Sequence, residues 1–214
     1  MPNALILDIN AILHDAKDVS RFYFESIRNV YGTVLEGLDI SKYDGTVQET
    51  VSQLLAGEGI DTGEKMQLFL DELPYAYYNV AGHDKISVSD GADSLIKELS
   101  TGSGVLLGIA TPNLERIVAN MLERASISAG SFRFAQYGGM GRERATIIGD
   151  AVEDAEALGA GRESALFVSS SPSMISAAKG LGITAIQLTN GAGAQKTQAD
   201  HIIKRVRDLR RFLK

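Results

Sequence analysis

Cysteine is missing from this sequence of 214 residues. Its absence excludes disulfides, thiolate metal sites and a cysteine nucleophile, and it is typical of a protein from a reducing compartment. No segment approaches the roughly 20 consecutive apolar residues that a membrane-spanning helix needs. The start, Met1-Pro2-Asn3, carries no basic side chain and leads into an apolar run, so the sequence predicts no secretory signal peptide. We therefore expect a cytoplasmic protein that contacts no membrane.

Basic charge is also scarce, because 27 Asp and Glu residues outnumber 21 Lys and Arg residues and the net charge is −6. Val206, Leu209 and Phe212 alternate at helical spacing with the one basic cluster, which lies near the C-terminus. This spacing favours the solvated face of a terminal helix over a nucleic-acid site. We therefore expect no nucleic-acid partner. The cluster consists of Lys204, Arg205, Arg207, Arg210 and Arg211.

A short apolar run near the N-terminus ends in an aspartate. The four apolar residues 4–7 are typical of a strand buried on both faces, and open α/β sheets bind ligands at the carboxyl ends of such strands. Side chains two residues apart in an extended segment point the same way, so Asp8 and Asn10 are expected to face one reacting group. A carboxylate there can act as a nucleophile toward phosphate. The alternative, of about equal weight, is a strand-end aspartate that caps the next turn.

Residues 17–86 carry the apolar spacing of helices rather than strands. The spacing predicts helices over about residues 17–31, 47–55 and 66–73, and Pro74 need not break the third helix if it falls at a helix start. We interpret this region as a helical insert that interrupts an α/β domain. Three tyrosines follow Pro74 closely, and core packing is favoured for them over the lining of a pocket. They are Tyr75, Tyr77 and Tyr78.

Strands and helices alternate over the rest of the chain. Single helices between successive strands imply parallel pairing with right-handed crossovers, so the sequence predicts an α/β fold with a doubly wound parallel sheet. We expect a Rossmann-like core of residues 1–16 and 87–214, with a helical cap of residues 17–86 inserted after the first strand. The later strands are predicted at 104–110, 132–137, 165–168, 184–188 and 201–203, with a glycine-rich loop at 191–193.

Four short motifs lie where these predicted strands end or helices begin. Asp8-Ile9-Asn10-Ala11-Ile12 follows the first strand, Thr111 ends a later one, Arg144 stands ahead of a helix, and residues 167–175 join a strand to a helix. With the helical insert, they resemble the haloacid dehalogenase superfamily in its phosphoglycolate-phosphatase-like branch. That family has Asp-x-Asp-Gly-Thr, a Thr or Ser, a basic residue (usually lysine) and Gly-Asp-x-x-x-Asp at these places. The resemblance runs from Ala4 to about Leu209.

The resemblance implies a mechanism and a set of ligands. Asp8 would attack a phosphomonoester and become an aspartyl-phosphate, and the phosphate would be bound by Thr111, Asn113 and Arg144. Mg²⁺ would be held by Asp8, by the carbonyl of residue 10 and by the acids of the fourth motif. The implied partner is a small phosphorylated molecule or another anion, bound by a monomer or a homodimer.

Several positions depart from that pattern. Asn10 stands at the acid/base position, where an amide cannot exchange a proton. Ser170 and Met174 stand where the family has acids, and neither is an anionic ligand of the kind that hard cations prefer. We therefore predict no bound metal; Mg²⁺ is expected only if the family activity is retained. Asp8 opposite Arg144 would leave a metal-free anion pocket with a net charge near zero.

Two function classes follow from these departures. The first is a phosphohydrolase of this family with weakened activity. The second is a non-catalytic descendant that binds a phosphorylated ligand or a protein partner. The site residues favour the second class for mechanism, whereas the resemblance favours the first for ancestry.

Two segments mimic family motifs in the wrong context. Residues 147–154 resemble the fourth motif, but they keep helical spacing, so a helix is favoured. Asp44-Gly45-Thr46 resembles the first motif without a preceding strand, so a turn with Thr46 as the N-cap of a cap helix is favoured. No role is assigned to the three histidines. His14 is placed where the chain leaves the core and could face the site, and His83 and His201 are expected at the surface or an edge.

Overall fold

The structure is a computed structural model of the chain, and it describes residues 4–15, 20–35, 40–102, 104–189 and 197–213. The strands are β1 (Ala4–Leu7), β2 (Leu13–Asp15), β3 (Ile86–Val88), β4 (Leu106–Leu114), β5 (Phe134–Gly138), β6 (Ala165–Ser169), β7 (Thr184–Leu188) and β8 (His201–Ile203). The α-helices are α1 (Ile9–Ile12), α2 (Ser20–Tyr31), α3 (Val47–Ala56), α4 (Met66–Ala81), α5 (Ala92–Ser100), α6 (Glu115–Arg124), α7 (Arg144–Ala157) and α8 (Pro172–Gly180). Short 3₁₀-helices lie at Ile40–Lys42, Ala129–Ser131, Arg162–Ser164 and Val206–Phe212.

Six strands form one parallel sheet in the order β5-β4-β1-β6-β7-β8. This confirms the predicted doubly wound α/β architecture, with β8 as the expected edge strand. β1 lies between β4 and β6, and its residues 4–7 are fully buried. Burial on both faces explains why the strand is apolar throughout rather than alternating.

The sheet has a hydrophobic layer on each face because successive side chains point to opposite sides. Leu5 and Leu7 of β1 lie in the larger cluster, which continues into the cap helices. Ala4 and Ile6 lie in the other, which packs against α7 and α8. Burying one such Leu or Ile side chain contributes about 1.5–3 kcal/mol relative to leaving it exposed. The first strand therefore ties both layers together.

The cap helices α2, α3 and α4 stand between β2 and β3, which pair antiparallel. Thr46 caps α3 as predicted, in a reciprocal capping box with Glu49. The β2–β3 pair was not predicted, since three-residue strands give too short a pattern. The boundaries of the cap and core as separate domains stay a prediction. Residues 17–19, predicted as the start of the first cap helix, and residues 191–193, predicted as a glycine-rich loop, lie outside the described residues.

Two helix predictions were wrong. Pro74 lies inside the 16-residue helix α4 rather than at a helix start. Buried residues before and after Pro74 stabilise the helix, although the proline lacks the N–H of a helical hydrogen bond. The basic terminal segment is a 3₁₀-helix. Val206, Leu209 and Phe212 repeat every three residues, which is the period of that helix.

The exposed tyrosines of α4 also differ from the prediction. Tyr77 is buried as expected, but Tyr75 and Tyr78 are 54% and 48% exposed. They cannot reach the core because they lie on the outward side of the helix. Core packing was therefore wrong for two of the three.

The C-terminal basic residues are mostly paired with acids. Arg207 pairs with Asp90 at 3.0 Å, and Arg210 pairs with Glu98 at 2.9 Å. Such exposed pairs contribute little stability, but they balance the charge of these arginines with acids of the same chain. These pairs support the interpretation of the basic cluster as a solvated surface. In the part of the chain that the structure describes, no helix is long and apolar enough to cross a membrane.

Alanine substitution at two glycines is expected to change the free energy of unfolding in opposite directions. A Cβ built on Gly108, in β4, would overlap the ring of Phe134, whereas one built on Gly149, inside α7, meets nothing within 4 Å. We expect Gly108→Ala to lower the free energy of unfolding by about 1–3 kcal/mol through overpacking. Gly149→Ala should raise it by up to about 1 kcal/mol through helix propensity. Urea unfolding measures both, and a stabilising Gly108→Ala would contradict the packing of β5 on β4.

Candidate functional site

The carboxyl edge of the sheet brings polar side chains of three neighbouring strands together. Asp8 follows β1, Thr111 lies in β4, and Ser169 ends β6. Parallel pairing places equivalent positions side by side, with Leu7 opposite Ile109 and Val168. The predicted convergence of Asp8 and Thr111 is therefore present in the structure, and Ser169 joins them.

Both carboxylate oxygens of Asp8 accept hydroxyl hydrogen bonds. The Thr111 hydroxyl donates to Oδ1 at 2.9 Å, and the Ser169 hydroxyl donates to Oδ2 at 2.6 Å. The backbone N–H of Asn10 also donates to Oδ1, at 3.2 Å. Asp8 thus caps the short helix α1, as the turn-capping alternative expects. No part of Asp8 is exposed to solvent.

Burial raises the pKa of Asp8 from 3.8 to about 6. Hydrogen bonds from Ser169, Thr111 and Asn10 act against the desolvation by favouring the charged form, and the nearby charge of Asp44 adds to the rise. The result is a carboxyl group in the sheet edge that costs free energy when it ionises. The carboxyl group thus presents no surface to solvent.

Asn10 is turned toward a second predicted site residue. The Asn113 side-chain amide donates to Asn10 Oδ1 at 2.7 Å. Asn113 lies within an irregular stretch of β4 between Thr111 and Leu114, where the register with β5 shifts. The two amides form a neutral pair beside Asp8. Neither can exchange a proton at an acid/base position.

The serine-rich segment after β6 differs from the prediction in which residues it uses. Ser169 contacts Asp8, and Ser171 caps α8 by accepting the N–H of Met174 at 3.1 Å. Met174 is fully buried in the hydrophobic layer beneath α8, and Ser170 is partly exposed. Sequence reasoning missed Ser169; the signal was its position at the end of the strand next to β1.

Asp44 of the cap also binds this serine-rich segment. The Ser171 hydroxyl donates to Asp44 Oδ1 at 2.6 Å, and the Ser173 backbone N–H donates to Oδ2 at 2.8 Å. Asp44 therefore lies at the N-terminus of α8, where a negative charge is favourable. Its role was missed because it lies 127 residues from Ser171 in sequence.

Two further contacts of the same cap segment reach the loop before α7. The Gly141 backbone N–H donates to Gln48 Oε1 at 2.7 Å, and Arg144 forms an ion pair with Glu49. We call Asp44, Gln48 and Glu49, with the core groups that they contact, the cap clasp. The clasp holds the start of α3 on two core loops.

Asp8 and Arg144 each have a different charged neighbour. The charged group that acts on the pKa of Asp8 is the acid Asp44, and Arg144 is engaged by Glu49. The roles predicted for Arg144, Thr111 and Asn113 in phosphate binding stay predictions. His14 lies on β2, with Nε2 3.0 Å from the Ser89 hydroxyl.

The residues at this edge do not fit a magnesium ion. Mg²⁺ needs several oxygen ligands in a regular octahedron, usually with one or two carboxylates free to face it. Here both Asp8 oxygens already accept hydrogen bonds from hydroxyl groups, and Asp44 accepts a hydrogen bond from the start of α8. Within the described ranges, no group of three or more His, Asp or Glu side chains is arranged to hold a metal.

The raised pKa of Asp8 predicts a pH-dependent stability. A carboxyl whose folded pKa is about 6 and whose unfolded pKa is 3.8 stabilises the fold while it is protonated. This stabilisation is complete below pH about 4 and is lost as the pH rises through 6, and it amounts to about 3 kcal/mol. Relative to Asp8→Asn, wild type should lose that amount between pH 4 and 7. Urea unfolding across this range measures it, and parallel pH profiles for the two proteins would contradict the burial of Asp8.

No protein-family model and no curated protein matches the sequence, so comparison depends on solved structures. CbbY from Rhodobacter sphaeroides in complex with phosphate aligns with a TM-score of 0.77 at 17% identity, covering 98% of this chain and 96% of that one. A haloacid dehalogenase-like hydrolase from Bacteroides fragilis gives a TM-score of 0.78 at 16% identity, covering 98% and 100%.

A third structure, assigned as a phosphoglycolate phosphatase from Lactobacillus plantarum, gives a TM-score of 0.71 at 18% identity and covers 99% of both chains. The likeness extends over core and cap together in all three. At such low sequence identities, the likeness shows a shared backbone fold and not a shared site chemistry. The chain has the fold of the haloacid dehalogenase-like phosphatases.

Proposed function

We propose that this chain binds a phosphorylated small molecule or a similar anion without hydrolysing it. The observation that carries the proposal is the enclosure of Asp8, whose two oxygens accept from Thr111 and Ser169 and whose exposure is zero. Hydrolysis through an aspartyl-phosphate needs a carboxylate oxygen aimed at phosphorus, a proton-transfer group and a stabilising charge. Here the carboxylate is sealed, and Asn10 stands at the position of the proton-transfer group.

The cap clasp supports the binding half of the proposal. The Ser171 hydroxyl, the N–H groups of Ser173 and Gly141 and the Arg144 guanidinium are the kinds of donor that bind phosphate. In the closed state these donors are satisfied by the cap's own oxygens, from Asp44, Gln48 and Glu49. An incoming phosphate would exchange with these side chains and open the clasp. Carboxylate and phosphate oxygens accept from such donors in the same way.

Similar structures support an anionic ligand of small size. CbbY was solved with phosphate, and an aspartate-to-asparagine mutant of CbbY was solved with xylulose-(1,5)bisphosphate. The mutant aligns with this chain at 16% identity and a TM-score of 0.76. Ligand binding in this fold thus survives the loss of an acidic group. We carry over only the chemical class, a phosphorylated small molecule.

A slow phosphatase is the second candidate. With a pKa of about 6, Asp8 is mostly ionised at neutral pH, which a nucleophile requires. Thr111 beside it matches the second motif of the family. Turnover would require the Ser169 or Thr111 hydroxyl to turn away from Asp8 and the cap to open.

The two candidates differ in phosphate release. We expect wild type, given Mg²⁺ and a panel of phosphomonoesters, to release no more inorganic phosphate than Asp8→Asn, because the carboxylate is enclosed and lacks a cation site. A coupled phosphate assay at high protein concentration measures this. Mg²⁺-dependent release by wild type that disappears in Asp8→Asn would establish the phosphatase and overturn the proposal.

Anion binding should depend on the clasp. We expect Asp44→Asn to bind phosphoglycolate or inorganic phosphate more tightly, by about tenfold, because a competing negative charge is removed from the donors. Shifts of the melting temperature, followed with EDTA and with Mg²⁺, measure the affinity and should not depend on the metal.

Glu58→Gln is the matched control, since it removes one charge from an exposed cap residue outside the clasp. It should leave the affinity unchanged. Equal effects of the two substitutions, or none for Asp44→Asn, would show that phosphate does not compete with the clasp.

A further inference from the structure

A groove open to solvent lies between cap helix α4 and core helix α6. Its volume is about 530 Å³, within the range of small-molecule sites. Tyr75, Tyr78 and Asn79 line it from the cap, and Arg116, Asn120 and Glu123 line it from the core. We propose that this groove binds a planar aromatic ring that carries an acidic group.

Both walls of the groove are fixed before any ligand arrives. The Arg124 guanidinium of α6 donates to the Tyr77 hydroxyl and to the Asp84 carbonyl, each at 2.8 Å. The Asn120 amide also approaches the Gly82 carbonyl, at 3.5 Å. These contacts cross from core to cap at one end of the groove. A preformed site binds with a smaller entropy cost.

The two tyrosine rings provide the aromatic surface. Tyr78 packs edge-on against His83, with 4.6 Å between ring centroids, and it is 48% exposed. Tyr75 lies under the Arg116 guanidinium, 4.6 Å from its ring centroid, and it is 54% exposed. Each ring is therefore held by a neighbour while one side stays open. Open, immobilised aromatic faces favour stacking with another ring.

Arg116 provides the charge that selects an acid. It stacks on Tyr75, and within the described ranges no carboxylate lies within ion-pair distance of it. A guanidinium stacked in this way keeps its N–H edges free for a carboxylate or phosphate fork. Glu123 stands seven residues further along α6, about 10 Å along the helix axis. It would favour a ligand whose far end donates a hydrogen bond.

Two sources could supply such a ligand, a nucleotide or an aromatic carboxylic acid. Adenosine monophosphate and indole-3-acetate are therefore the two probes, with adenosine as the ring without the acid and acetate as the acid without the ring. Isothermal titration and ligand-observed NMR measure binding to the full chain. We expect one of the two probes to bind at least about tenfold more tightly than its matched control, and the identity of that probe names the source.

Substitutions locate the site. Tyr78→Ala should weaken the binding probe by about tenfold through lost stacking, and Tyr78→Phe should restore it. Arg116→Gln should weaken the acidic probe by about tenfold and leave adenosine unchanged. Leu68→Ala is the matched control, since Leu68 is an exposed α4 residue that does not line the groove. In the Asp44→Asn background, Tyr78→Ala should weaken the binding probe by the same factor as in wild type, which separates this site from the clasp.

Three results would overturn the inference. They are no binding of either probe at millimolar concentration, binding that is unchanged in both Tyr78→Ala and Arg116→Gln, and equal binding of each of the two probes and its ringless or uncharged control. A dimer in sedimentation analysis that dissociates in Tyr78→Ala would overturn it as well, because a second copy would then fill the groove.

Discussion

The enclosed carboxyl of Asp8 is the constraint on which the rest of the site depends. It lies at the end of the central strand, and its two oxygens are held by hydroxyls from the strands on either side. Removing a carboxylate from water is costly, and hydrogen bonds from neutral groups offset only part of that cost. A second negative charge nearby, or a substrate phosphate, would raise the cost further. Through its two hydroxyl hydrogen bonds, the Asp8 carboxyl group links β1 to β4 and β6.

The end of β6 and the segment after it present hydrogen-bond donors at the sheet edge. Two serines there donate hydrogen bonds to carboxylates. Ser169 donates to Asp8 in the core, and Ser171 donates to Asp44 in the cap. Donor groups attract anions and acceptor groups attract cations. These serine donors suit an anion rather than a cation, and the contacts with Asp44 hold the cap segment on the core.

Local patterns were enough to predict the sheet and much of the cap. The unbroken apolar run of β1 indicated a buried parallel strand, and Thr46 after Asp44-Gly45 indicated the start of α3. The helix over residues 147–154 was distinguished from a catalytic loop by its periodicity. Asp8 and Thr111 were predicted to lie close together because each stands at the carboxyl end of a predicted strand. These features depend on residues close in sequence or on the geometry of parallel sheets.

What the sequence did not reveal depends on long-range packing. Asp44 meets Ser171 only because the cap folds back over the core, and nothing in its own turn marks that contact. Arg144 was expected to face Asp8, but Glu49 of the cap engages it. Pro74, Tyr75 and Tyr78 of α4 were misplaced because burial, rather than local propensity, decides a helix interior. Such contacts become visible only when both partners are placed in three dimensions.

The most direct test of the account is a crystal structure determined with Mg²⁺ and beryllium trifluoride, which together mimic an aspartyl-phosphate and its metal. The account predicts that Asp8 keeps its hydrogen bonds to Thr111 and Ser169, with no fluoroberyllate attached and no metal beside it. A beryllium adduct on Asp8 with magnesium coordinated next to it would contradict the account.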